Sequence, residues 1–377
     1  MNDFYNAATK IQNDALMKWK QAGKRIVGYT CSYTPAEIFH AVDILPIRLR
    51  GIETDGMDIS DAYYGPFICS FPKCILQLAG RGDYSFLDGT IITPGCDAMR
   101  RLDECWRKAG DDYEGIVPPY FYYFDVPHKT EPHGMDWFIQ EIRDLIKSVE
   151  DHFAVKITDE KLSASIKTYN RGRKILRELE DLRAEEDIRV SGARAFAAIV
   201  AGQVTPREEY TEALQRWLTA LKKKRPLKNH QKRLMLIGSI SDEIDLIELV
   251  EGTTNVAVVA ENLCFGIRYE NGEVPEDVDP VEALAGHYLA KSVCPRMYGK
   301  YKQRLARLVE KIERSKVEGV IMQNIRFCDL HGAENALFER DLEAMGIPCI
   351  RIEREYGPLI ETGRIKLRMN AFLERIS

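Results

Sequence analysis

Hydrophobic and polar positions along this chain follow two rhythms. Short, nearly continuous apolar runs bounded by turn residues predict buried strands, and apolar residues three and four apart predict helices. RIVGYT at 25–30 is strand-like and ends in Cys31; a Ser/Pro turn and the helix AEIFHAVD follow, with Pro46 beyond. Further on, Cys69 and Cys74 straddle Pro72 at the entry to another helix. GTIIT at 89–93 is a β-branched run stopped by Pro94 and Gly95. Cys96 follows at its carboxyl end, and Asp97 can cap an amphipathic helix carrying Met99, Leu102 and Trp106. PPYFYYFDV at 118–126 is an aromatic, strand-like segment. Four strand signals alternating with helices over 24–133 imply a βα-repeated unit with a parallel sheet.

From 137 to 224 the spacing is helical, with few strand signals, and charge runs such as 177–187 suit solvated helix faces. KKKRPLKNHQKR at 222–233 carries a proline and little apolar content, which marks a boundary. Strand patterns then return: LMLIGS at 234–239, NVAVVAENL at 255–263 ending at Cys264, VEGVIMQNIRF at 317–327 ending at Cys328, and IPCIRIERE at 347–355. The helix DPVEALAGHYLA leads to Cys294-Pro295-Arg296, and a terminal helix begins near Gly363. The expected architecture is α/β, with two doubly wound parallel-sheet lobes joined by a helical segment. The expected division is an N-terminal lobe over 1–136, a connector over 137–225 and a C-terminal lobe over 226–377.

Composition narrows the function little. The 377 residues are 45% hydrophobic and 29% charged, ordinary values for a globular protein. A formal charge of −5 argues against a dedicated nucleic-acid binder. No apolar run approaches the roughly 18 to 20 residues that span a bilayer, and the first 25 residues lack the apolar centre of a secretion signal. The cytoplasm is the expected compartment, where the nine cysteines would be reduced thiols or metal ligands.

The cysteines change the picture. Six fall at loops, three per α/β unit: Cys31, Cys69 and Cys96, then Cys264, Cys294 and Cys328. Open α/β sheets bind ligands outside the carboxyl ends of their strands, where four of the six are expected. Cys74 and Cys105 fall in helices and Cys349 in a strand, so these three read as small buried hydrophobes. The six could be inert core thiols too, but turn-forming neighbours and nearby arginines (Arg100, Arg268, Arg296, Arg326) favour a metal group whose charge the arginines balance. Zinc fits less well, because no CxxC pair occurs. Widely separated single cysteines suit an iron–sulfur cluster held between lobes in their cleft. His331, three residues past Cys328, is a candidate proton donor, with helix capping as the plainer role; Glu37 and Tyr33 beside Cys31 could serve proton transfer or substrate contact. There is no phosphate-binding GxxxxGK[ST] or GxGxxG loop, so any ATP chemistry would belong to a partner.

GYTCSYTPAEIFHAVDILPIRLRG, the Cys69 and Gly95-Cys96-Asp97 pair, DPVEALAGHYL…CPR, VEGVIMQNIRFCD and GIPCIRIERE resemble the 2-hydroxyacyl-CoA dehydratase and benzoyl-CoA reductase superfamily over nearly the whole chain. The resemblance implies α/β lobes around an iron–sulfur cluster and a separate ATP-hydrolysing iron–sulfur activator that delivers low-potential electrons. By position, Cys69, Cys96 and Cys328 match the three thiolates that hold a 4Fe–4S cluster in dehydratase subunits. The full six-cysteine complement resembles the superfamily's double-cubane proteins, homodimers in which two cubanes share a sulfide and take three thiolates each (an 8Fe–9S group). CDAMRRLDE lacks the lysine-rich continuation of that branch, so two readings stand. One is a reductase of a small molecule; the other is a dehydratase or benzoyl-CoA reductase subunit with one 4Fe–4S cluster, an acyl-CoA substrate and an unlike sister subunit.

Overall fold

The structure, a computed structural model, describes residues 2–227, 232–253, 255–267, 272–290 and 294–376. β1 (Ile26–Tyr29) and β3 (Gly89–Ile92) are buried along their whole length, as uninterrupted apolar strands must be. β2 (Leu45–Arg48) and β4 (Tyr120–Tyr123) flank them in an all-parallel sheet of order β2-β1-β3-β4. β5 (Lys232–Gly238), β6 (Val256–Asn262), β7 (Gly319–Ile325) and β8 (Cys349–Arg354) form a second parallel sheet of order β6-β5-β7-β8. The two orders are the same, so the expected likeness of the lobes is present in topology.

One expectation needs correcting. Pro46 does not merely lie beyond a helix; it sits inside β2, opposite Val27 of β1. β2 is an edge strand, where the missing N–H of proline costs no ladder bond. The helix α3 is correspondingly short (Glu37–His40), after α1 (Asn2–Thr9) and α2 (Asp14–Gln21).

Helices α4 (Ser70–Gly80) and α5 (Asp97–Asp112) serve the first sheet. The middle of the chain is helical: α6 (Pro132–Phe153), α7 (Asp159–Ala184), α8 (Gly192–Ala201) and α9 (Arg207–Lys222). α10 (Ile244–Glu251), α12 (Tyr301–Arg314), α13 (Asp329–Ala344) and α14 (Thr362–Arg375) accompany the second sheet, while α11 (Pro280–Ala290) packs against α6 and α7 in the core of the first.

The lobes share one core. A single apolar cluster runs from Leu45, Ile47, Ile92 and Trp106 to Leu234, Leu236, Ile321 and Ile352. Buried polar groups fix how the lobes meet. The Tyr356 hydroxyl donates to Asp242 Oδ1 (2.6 Å) and accepts the Gly51 N–H (2.9 Å). Arg354 forks onto Glu243, donating from Nη1 to Oε1 at 2.8 Å and from Nη2 to Oε2. Gly51 is required here, since a Cβ would lie 2.4 Å from that of Cys74.

Candidate metal centre

The common strand order sets the site. In each sheet the chain leaves the first strand in opposite directions, so a crevice opens at the carboxyl ends of β1 and β3 and of β5 and β7. Cys31 follows β1, Cys96 follows β3, Cys264 follows β6 and Cys328 follows β7. Cys69, Cys96 and Cys328 are the N-cap residues of α4, α5 and α13. First-turn backbone N–H groups near the sulfurs draw their pKa values down: Phe71 for Cys69, Met99 for Cys96, His331 for Cys328. The Tyr33 N–H serves Cys31 in the same way. Amides aimed at sulfur favour its charged form.

The six loop cysteines form one interacting group. Cys69 feels the charges of Cys96 and Cys328; Cys96 feels those of Cys328, Cys294 and Cys31. Cys31 and Cys328 each feel Cys264. The other three thiols interact with none of them: Cys74 neighbours Asp242 and Glu243, Cys105 neighbours Glu104, and Cys349 neighbours Glu343. Burial pushes Cys96 up to about 12, and neighbouring thiols add to the rise. Burial likewise raises Cys31, Cys69 and Cys328. Left alone, such thiols keep their protons at neutral pH; this donor set suits a cation that replaces them.

Among the described residues, no three His, Cys, Asp or Glu side chains converge closely enough for a single metal ion. Thiolates that each bound a different atom of a polynuclear core would not need to converge on one point. Gly95 leaves the room: a Cβ there would come within 3.1 Å of Cys31 Sγ. Phe327, just before Cys328, holds a left-handed φ of 63°, uncommon for a bulky side chain. It packs edge-to-face with Phe67 at 5.6 Å, from the other lobe.

The anticipated arginines separate. Arg296 is buried, donates to the Pro127 and Val126 carbonyls (2.9 and 2.7 Å), lies 5.3 Å above the Tyr33 ring, and lowers the Cys31 pKa. Arg100 is exposed. Arg326 is exposed too and pairs with Glu353 and Glu355 (3.5 and 3.4 Å). Arg268 lies outside the described residues. Glu37 serves a buried ion pair: Arg173 donates to Oε1 at 2.5 Å and the Tyr288 hydroxyl to Oε2 at 2.7 Å. Its pKa stays low despite the burial that opposes ionisation, because Arg173 and these hydrogen bonds outweigh it. His331 is buried on the first turn of α13, and Tyr33 is buried beneath Arg296.

Sequence reasoning missed Arg48. This last residue of β2 is buried, and its Nη2 lies 2.7 Å from Cys264 Sγ. Nη1 donates to the Cys264 carbonyl (2.6 Å) and to Gln203 Oε1 (3.0 Å), and the guanidinium stacks 3.8 Å over Phe265. It also missed Ser239, which donates to Asn324 Oδ1 (3.1 Å) and lowers the Cys328 pKa, favouring the thiolate. The signal for Arg48 was present in LPIRLR, where arginines interrupt an otherwise buried strand pattern.

A parallel-sheet α/β chain with cysteines grouped at its strand ends now meets its relatives. The family model for 2-hydroxyglutaryl-CoA dehydratase, D-component, matches residues 31–376, and the chain belongs to that family. A benzoyl-CoA reductase subunit of Thauera aromatica is 30% identical over 339 residues, 88% of this chain and 84% of that protein. The (R)-phenyllactyl-CoA dehydratase beta subunit of Clostridium sporogenes is 25% identical, with 94% and 92% of the two chains covered. The beta subunit of (R)-2-hydroxyglutaryl-CoA dehydratase of Acidaminococcus fermentans is 22% identical, with 96% and 95% covered. These relatives are enzyme subunits, both dehydratases and a reductase. No described helix of this chain is long and apolar enough to cross a membrane.

Proposed function

We propose that this chain is the iron–sulfur component of an oxygen-sensitive reductase, with Cys31, Cys69, Cys96, Cys264, Cys294 and Cys328 holding a double-cubane group. An ATP-hydrolysing iron–sulfur activator would supply low-potential electrons, and a small molecule would be reduced. The observation that carries this reading is the mutual interaction of all six loop thiols while the other three stand apart. When bound, the group would store low-potential electrons and pass them on. The chain's own part is to hold six sulfurs on helix N-termini and strand ends, to set Arg48 and Arg296 beside Cys264 and Cys31, and to keep bulk water out with the shared core. His331 is the proposed proton donor, held on the turn whose N–H contacts the Cys328 sulfur. We assign Glu37 to structure and Tyr33 to supporting Arg296.

A second reading has its own support. Cys69, Cys96 and Cys328 also interact pairwise among themselves, which suits one 4Fe–4S cluster. The relatives' names then point to a dehydratase or benzoyl-CoA reductase subunit acting on an acyl-CoA beside an unlike sister subunit. Iron and sulfide analysis after anaerobic purification separates the two. About eight irons per chain in a homodimer supports the first; about four, with a sister subunit required for turnover, supports the second.

A further inference from the structure

We propose that Arg48 is a positioning residue that gives the centre an electrical direction: added electrons settle on the side held by Cys31 and Cys264. The inference rests on the iron–sulfur reading above and deepens it. Several buried arginines in this molecule are neutralised by carboxylates, as in Arg173–Glu37, Arg304–Glu334 and Arg354–Glu243, while others, such as Arg183 and Arg296, donate to backbone carbonyls. Arg48 is different. Its hydrogen-bond acceptors are an amide oxygen, a carbonyl and the Cys264 sulfur. Its Nε–H is buried with no acceptor, which leaves a donor for a further anionic atom such as inorganic sulfide.

The opposite side has no equivalent. Only neutral groups lower the Cys69, Cys96 and Cys328 pKa values: first-turn backbone N–H groups and, for Cys328, Ser239. The arginines next to them in sequence, Arg100 and Arg326, lie in water, where their charge is screened. A full charge fixed against sulfur in a buried place outweighs neutral donors. Each step adds one electron from a low-potential iron–sulfur reductant, itself oxidised by one, and the electron later leaves to the reducible substrate. No bond in the chain forms or breaks, and Arg48 stays protonated.

The test is a mediated potentiometric titration, followed by electron paramagnetic resonance, on anaerobically purified wild type, R48Q, R48K and R100Q, with iron counted in each. Wild type should show two midpoints. R48Q should keep its iron and lower the more positive midpoint. At the wild-type midpoint its reduced-to-oxidised ratio should fall about tenfold, equivalent to about 59 mV for one electron. R48K, which keeps the charge but not the fork, should shift less, and R100Q should not shift. Iron-loaded R48Q with both midpoints unmoved, or R100Q shifting as far, overturns the proposal. If R48Q fails to fold, R48K decides: an unmoved midpoint overturns it. A wild type without iron would sink the iron–sulfur reading itself, a result distinct from loaded variants that titrate alike.

Discussion

Cys69, Cys96 and Cys328 each begin a helix and take an N–H from its first turn, whereas Cys31 and Cys264 lie in loops beside the buried guanidinium groups of Arg296 and Arg48. Both devices favour negative sulfur, but at different cost. Backbone amides at a helix start need acceptors anyway, so aiming them at sulfur sacrifices nothing. Burying an arginine is expensive, and the cost is offset by the acceptors and negative charge placed against it. The arginine side is therefore where the fold expects more negative charge. Behind the helix side lies a network of another kind: the Ser70 hydroxyl donates to Glu355 (2.8 Å) and accepts the Tyr356 N–H (2.8 Å), next to Arg354–Glu243 and Tyr356–Asp242. Those charges are matched, and they join lobes instead of tuning sulfur.

The largest effect should come from the thiol that touches both sides. Cys96→Ser should lose at least half of the bound iron and all turnover, while Cys105→Ser, on the same helix, should keep full iron; full iron in Cys96→Ser would remove the ligand assignment. Next is the matched network. Arg354→Met strands Glu243 in the interior and should cost about 3 to 5 kcal/mol in denaturant unfolding of the metal-free protein. If that variant instead left stability intact, the network would not be what joins the lobes.

The pH response of the same network is smaller. Burial raises the Asp242 pKa from 3.8 to about 6, against the opposing charge of Arg50. The folded state thus holds this proton more tightly than the unfolded chain, so the stability it adds is present at acid pH. That contribution should be lost as pH rises from about 4 to about 6. Asp242→Asn should flatten stability across that window, as read from unfolding midpoints at each pH. Smallest of all, Ser239→Ala removes a neutral hydroxyl dipole that lowers the Cys328 pKa. It should lower the more negative midpoint by less than R48Q lowers the other, because charge-assisted hydrogen bonds are about twice as strong. An equal shift would erase the distinction between the two sides.

Much of the fold was legible because strands buried on both faces need uninterrupted apolar runs, and each such run announced a strand. β2 escaped notice because Pro46 and Arg48 break its pattern; the sheet edge makes the proline acceptable, and Gln203 and Cys264 accept from the arginine. With β2 went Arg48. The arginines chosen by proximity in sequence to a cysteine fared unevenly: Arg296 turned inward and Arg100 outward, since neighbours along a chain need not share a side.

The sequence by itself determined the order of elements and marked six loop cysteines apart from the three within helices and strands, because local periodicity and turn residues are local properties. Tertiary structure alone decided that sulfurs as far apart in sequence as Cys69 and Cys328 influence one another, and that an arginine of the first lobe rests on a cysteine of the second. The reason is physical: burial and charge depend on what packs alongside in space, and no window along the chain contains that information.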